Sequence, residues 1–404
     1  MRKYPLFLSL LLVLAVMTGC NQSSGNKNFE VITASDIDEE ADLTEIAFDF
    51  KIHPLKSDGP LDGIGGVKSW GDVMLARTSD DRKILRFDNY SLTGVLDRLG
   101  RGPGEYTYIE DFSYDAYDKV LYIENDSNLV TYDATTMEFI RKQPVNISIQ
   151  NILNLGDKML YFGVLMDEYH KESVDSKLFL PKESMILVDR DEYDLTKGTV
   201  LYEEGYLARM LISYPELFYV NPKNRSTCLP GDVYRIVTFY NDSVSDVYRF
   251  RLGTADFPTR LYEAMQKEEF EMDEIQSISK ELSMIRRDGP YIGTVFNIMV
   301  DDKTVSFRMS YEGNGMLGNP SRYLYFVHHI GKGTKVYKHL RIPGLAMDVD
   351  PTGANGNHQI AIIENLGSAA IDENVPMSPL AQQIVEELKK QNDDNPVMLE
   401  FRFK

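Results

Sequence analysis

Two thiols, six imidazoles and one glycine-rich run are where this 404-residue chain could do chemistry. The thiols, Cys20 and Cys228, are too few for a disulfide scaffold. Of the histidines (His53, His170, His328, His329, His339, His358) only His328-His329 cluster, and neighbours on a regular strand point to opposite faces, so they cannot share an ion. Asp348-Val349-Asp350 would place two carboxylates on one strand face, which suits calcium or a sugar groove and equally a solvated surface. The glycine-rich run is Leu99 followed by Gly100, Arg101, Gly102, Pro103, Gly104, Glu105 and Tyr106. It lacks the Gly-Lys-Ser/Thr of a phosphate loop, Pro103 removes an amide donor, and Tyr106-Thr107-Tyr108-Ile109 reads as strand rather than helix. A tight turn is the better reading, with Arg101 and Glu105 the best ligand-facing pair; alternatively Glu105 accepts local amides or pairs with Arg101 to fix the turn. No His-Glu-x-x-His, Cys-x-x-Cys or Gly-x-Ser-x-Gly motif occurs. Carboxylates are so abundant that a glycosidase pair cannot be located. Their excess, 62 Asp+Glu against 43 Lys+Arg for a net charge of -19, argues against a nucleic-acid partner.

These groups need an address and a scaffold. Arg2 and Lys3 precede an apolar run from Leu6 to Val16, which is too short to span a bilayer. Val16-Met17-Thr18-Gly19-Cys20 follows, with small residues before a cysteine, and this resembles the lipobox of bacterial lipoproteins. The resemblance implies that residues 1–19 are a signal peptide, that Cys20 carries acyl chains, and that the lipid bilayer is a partner. Several acyl chains hold a protein far more firmly than one. Removing residues 1–19 would take two positive charges away and leave Cys228 without an intrachain partner. Residues 20–43, ending in the acidic run Asp36-Ile37-Asp38-Glu39-Glu40, read as a solvated tether.

The body, residues 44–404, carries a repeat. A turn ending in Asp or a close equivalent, followed by a short β-rich run, recurs at Asp72, Asp118, Asp157, Asp232, Asp302 and Asn357. A second repeat, Ile84–Asp88, Leu129–Asp133 and Met185–Asp189, closes each time on an aspartate suited to bonding the backbone two residues on. The shortest spacings match one four-stranded propeller blade. The fold class expected is therefore all-β, a six-bladed β-propeller. The longer spacings are read as a helical insertion over 258–287 and loops over 166–183 and 205–230, with a helix over 378–390 capped by Ser378 and Pro379. Strand-like ends at 44–52 and 397–403 are expected to close the ring.

With that architecture in place, the Gly100–Tyr106 run, the strand after it and the Asn395-Pro396-Val397 ending resemble six-bladed β-propeller lipoproteins of certain Gram-negative bacteria. What the family implies is a lid or insertion near 205–290 and no firm activity. The run would then sit between blades, with Arg101 and Glu105 at the channel mouth. The resulting expectation is a membrane-anchored binding or scaffold module for a glycan, peptide or envelope protein. The alternative is an envelope hydrolase, lyase or dehydrogenase using the central channel face. The 258–287 helix is a further candidate docking element through its Ile/Leu face. No cofactor is expected, calcium being the one ion the acidic pair would suit. An outer-membrane location is expected, and the lack of acidic residues directly after Cys20 favours the periplasmic face.

Overall fold

The computed structural model describes residues 29–404 except 62, 110, 126, 166–176, 206–218, 221–224, 230–232, 241–242, 253–258, 289–294, 312–321, 366–370 and 392–394. Cys20, His170 and the fourth repeat marker, Asp232, lie outside the described residues.

The N-terminal segment supplies β1 (Glu30–Ile32), β2 (Ile37–Asp42) and β3 (Ala47–Pro54). Blade 1 is β4 (Ile64–Trp70), β5 (Val73–Thr78), β6 (Ile84–Asp88) and β7 (Ser91–Leu96). Blade 2 is β8 (Phe112–Asp115), β9 (Val120–Asn125), β10 (Asn128–Asp133) and β11 (Phe139–Pro144). Blade 3 is β12 (Ile147–Asn154), β13 (Lys158–Leu165), β15 (Lys182–Asp189) and β16 (Thr199–Gly205), with β14 (Lys177–Phe179) outside the blade. The fourth sheet holds β17 (Tyr219–Val220), β18 (Arg225–Leu229), β19 (Tyr234–Tyr240) and β20 (Ser243–Leu252). After β21 (Glu269–Glu271), blade 5 is β22 (Val295–Val300), β23 (Thr304–Tyr311), β24 (Arg322–His329) and β25 (Gly333–Arg341). Blade 6 is β26 (Pro351–Asn355), β27 (His358–Ile363) and β28 (Val397–Phe403), completed by β3.

The predicted ring closure is therefore present. β3 runs antiparallel to β28, from Ala47 opposite Phe403 to Pro54 opposite Val397. The described repeat markers lie in the turns between first and second strands, where Gly71 adopts a φ of +67° that an L side chain rarely takes. Inner strands follow one another around the ring: β8 beside β12, β18 beside β22, β22 beside β26 and β26 beside β4. By that order β18 is the inner strand of blade 4, and β1 its outermost.

The strands are apolar on both faces because both faces are covered. Six apolar clusters occur among the described residues, one at each junction. In β5, for example, Leu75 packs toward blade 2 while Met74 and Ala76 pack toward blade 6. This both-sided burial is the main force that holds blades together.

Three expectations need correction. Residues 30–42 are not a free tether: β1 pairs in parallel with β20, and β2 in parallel with β25. After Asp36 the acidic run falls on β2, whose Asp38, Glu39 and Glu40 are exposed. An outer strand can carry such charges because one flank and one face meet water, and they protect the edge against pairing with other chains. The stretches read as loops contain β14, β17 and β18, together with the start of β15. The 258–287 insertion is helical at Thr259–Met265 and Met272–Asp288, with β21 between them paired to β14. Its Leu261, Met265, Phe270, Ile278 and Leu282 fill the junction of blades 3 and 4. The Ile/Leu face expected to dock a partner is thus covered by the protein's own core. The last helix, Pro379–Lys390, begins as expected, with the Ser378 side chain accepting from the Ala381 amide, and buries Leu380, Ile384 and Leu388 on blade 6.

Candidate functional site

The glycine-rich run forms the crossover from β7 to β8 and is held by its own residues. The Glu105 carboxylate accepts from the Gly102 amide at 2.7 Å, and the Gly100 amide donates to the Tyr106 carbonyl at 2.8 Å. A methyl group on Gly100 would lie 2.0 Å from a Glu105 oxygen, and one on Gly104 would lie 2.9 Å from the Phe139 ring. Tyr106 is wholly buried, its hydroxyl donating to the Arg82 and Leu96 carbonyls at 2.8 and 3.1 Å. Burial pushes that hydroxyl up to about 12. Phe139 lies on β11, the outer strand of blade 2, so the loop packs at the rim and not on the inner strands that line the channel. Glu105 is engaged as a turn acceptor; no contact joins it to Arg101 among the described residues.

Other sequence candidates also have partners. Asp348 meets His339 at 3.0 Å and Arg341 at 3.1 Å, and Asp350 meets Arg308 at 3.2 Å and the Tyr325 hydroxyl. They stand in the irregular stretch between β25 and β26, apart from an isolated bridge at Asp348, not on one strand face. With cations and a donor already on both carboxylates, they do not form a calcium site. His328 stacks on Tyr248 at 4.0 Å and lies 2.9 Å from Thr334 Oγ1, a hydroxyl that also donates to Glu30 on β1. Burial lowers the affinity of His328 and His329 for a proton. Among the described residues no three His, Cys, Asp or Glu side chains converge to hold a metal ion. Cys228 is buried on β18.

The inner strands carry charges that composition did not reveal. Lys68 on β4 and Asp111 just before β8 are 6 % and 3 % exposed, and their Nζ and Oδ1 are 2.5 Å apart. Lys68 also donates to the Phe112 carbonyl at 2.9 Å, while the other Asp111 oxygen accepts from the Ile152 amide at 3.0 Å. One buried ion pair thereby ties blades 1, 2 and 3 together. Opposite it, Ser69 donates to Asn355 at 3.1 Å and Asn355 to Glu400 at 2.8 Å, joining blades 1 and 6. The same Glu400 oxygen accepts from Tyr90 at 3.2 Å, and its partner oxygen lies 3.7 Å from Lys51 and 3.8 Å from His53. Burial alone would raise the Glu400 carboxyl, but His53 and Asn355 outweigh it and hold the group at about 2. No sequence motif marks these groups: Lys68 and Asp111 are 43 residues apart, and Tyr90 and Glu400 are 310 apart.

β17 adds the last feature of the centre. It pairs with β18 on the inner side of blade 4 and lies close to β4, β22 and β26, so main chain spans the channel between blade 4 and blades 1, 5 and 6.

These features define a six-bladed β-propeller with an internally engaged centre. A family model described as a 6-bladed beta-propeller, DUF5128, matches residues 21–287, and the chain belongs to that family. A Bacteroides fragilis protein described as exported shares the fold over 93 % of this chain and 99 % of its own, with 14 % identity and a TM-score of 0.63. A member of the DUF4221 family from Bacteroides vulgatus aligns over 89 % of this chain and 97 % of its own, at 10 % identity and a TM-score of 0.45. A search of curated proteins finds no match. No helix among the described residues is long and apolar enough to cross a membrane.

Proposed function

We propose that this protein is a lipid-anchored binding or scaffold module of the bacterial envelope, held through acylated Cys20 and presenting its propeller to a glycan, peptide or envelope protein. One observation carries the binding reading: the channel face is filled from within. Propeller enzymes working at the channel need titratable groups free to meet substrate. Here Lys68 and Asp111 are bonded to neighbouring blades, and β17 lies against the inner strands β4, β22 and β26. Charges engaged in this way fix blade geometry and leave little reserve for proton transfer.

The anchor rests on the lipobox-like Val16–Cys20 segment. Outer-membrane attachment on the periplasmic side fits the residues after Cys20. Fatty-acid labelling of the full chain tests the anchor: label should follow the wild type into the membrane fraction and be absent from Cys20→Ala, and label retained by that variant would overturn it. For binding, the chain from Asn21 onward is screened against purified glycan and envelope-protein panels. Saturable retention of one class supports the module, and uniform absence of retention contradicts it.

A further inference from the structure

At the junction of blades 1 and 6 lies a cavity of 50 Å³, lined by Ser69, Asp72, Asn89, Tyr90 and Asn355 above an apolar floor that includes Met74 and Met398. Its floor is buried, whereas Asp72 and Asn89 at the rim are exposed. Ser69, Asn355 and Tyr90 are engaged with one another and with Glu400. The rim differs: neither the Asp72 carboxylate nor the Asn89 amide has a side-chain hydrogen bond or ion pair among the described residues.

Backbone conformation reinforces the contrast. Asn89 and Tyr90 form the two-residue turn from β6 to β7, with φ of +48° and +65°. Asparagine tolerates that region, but a tyrosine held there carries strain of about 1–3 kcal/mol. The strain is offset where the Tyr90 ring stacks on His53 at 3.8 Å and its hydroxyl reaches Glu400. That placement makes the tyrosine one wall of the cavity.

We infer that this cavity is a binding site for a small primary ammonium ligand. Charge sets the sign: Lys51 and His53 stand on the outer oxygen of Glu400, leaving Asp72 without a cation. In keeping with this, burial first and then the carboxylates of Glu400 and Asp72 push the Tyr90 hydroxyl up to about 12. Size sets the ligand: a 50 Å³ space of this kind accepts about four non-hydrogen atoms. Donor chemistry excludes a bare divalent ion, since one carboxylate with neutral oxygens falls short of the roughly 6–8 oxygens calcium takes. An ammonium group brings N–H donors for the Asp72 carboxylate and the Asn89 amide oxygen, and its methylenes rest on Met74 and Met398.

This goes beyond the proposed function, which names no pocket, and its outcome is separable from the panels. The chain from Asn21 onward is titrated with ethanolamine and, at matched ionic strength, with ethylene glycol, its neutral counterpart of equal size. The Gly71, Asp72 and Tyr90 amide resonances report on the cavity. Ethanolamine should shift them saturably and bind at least about tenfold more tightly than the glycol, as expected for a charge-assisted bond. Asp72→Asn should lose about tenfold in ethanolamine affinity with an unchanged melting temperature. Competition by glycerophosphoethanolamine assigns the amine to a lipid headgroup, and its failure to compete assigns it to a free amine. Equal binding of both probes, binding of neither, or an Asp72→Asn variant that binds as wild type would overturn the inference.

Discussion

Asp111 and Lys68 show how a single buried residue can join three blades. Removing one member of a buried ion pair leaves the other charge uncompensated, at a cost of about 3–5 kcal/mol. Asp111→Ala should lower the urea unfolding free energy by about that amount, and Asp111→Leu with Lys68→Met should recover most of it. A single variant within about 1 kcal/mol of wild type would remove the pair from its structural role. Glu400 makes a pH prediction. Its carboxyl is depressed from 4.5 to about 2 in the folded chain, so its contribution is fully present above 4.5 and is lost as pH falls from there through about 2. The amount is on the order of 3 kcal/mol. Urea midpoints recorded from pH 6 to pH 2.5 should show a shallower acid decline for Glu400→Gln than for wild type. None of this was legible in the sequence, because the partners are far apart along the chain and meet only once the blades form and pack together. The Gly100–Tyr106 run was legible as a turn, since Pro103 and the glycines have local reasons to be there. Its position at the rim was not, because that depends on Gly104 meeting Phe139.

At the scale of elements, the insertion between β20 and β22 is part of the core. Phe270 and Leu282 are 1 % exposed between blades 3 and 4. Phe270→Ala should cost about 3–5 kcal/mol, the range of a buried aromatic truncation. Denaturant unfolding measures this, and a loss under about 1 kcal/mol would mean that the insertion sits on the surface. Helical spacing of Ile275, Ile278 and Leu282 made the helix readable in advance. What that apolar face would cover was not readable, because spacing identifies a face to be buried without naming its partner. The ring-closing strands β3 and β28 were readable because strand-like runs stand at 44–52 and 397–403, at the two ends of the body. β2 was missed because an outer strand needs little apolar surface and its acidic residues resemble a solvated spacer.

Over the whole molecule, the N-terminal segment runs along three consecutive blades, with β1 on blade 4, β2 on blade 5 and β3 closing blade 6. Glu30 fixes its start, accepting from the Thr334 amide at 3.0 Å and its hydroxyl at 2.7 Å. Deleting residues 21–42 should bare the outer strands of blades 4 and 5, lower the melting temperature and promote self-association through the exposed edges. Unchanged melting and a monomeric elution profile would contradict that role. The ring leaves inner strands engaged with their neighbours, and this supports the central proposal of a module that binds its partner without transforming it. The most direct test incubates the chain from Asn21 onward with purified envelope glycans and peptides, and measures both retention and the mass of every recovered ligand. Saturable retention with each ligand recovered at its original mass is the predicted result. A ligand returned cleaved, eliminated or oxidised, at a rate proportional to protein concentration, would contradict it.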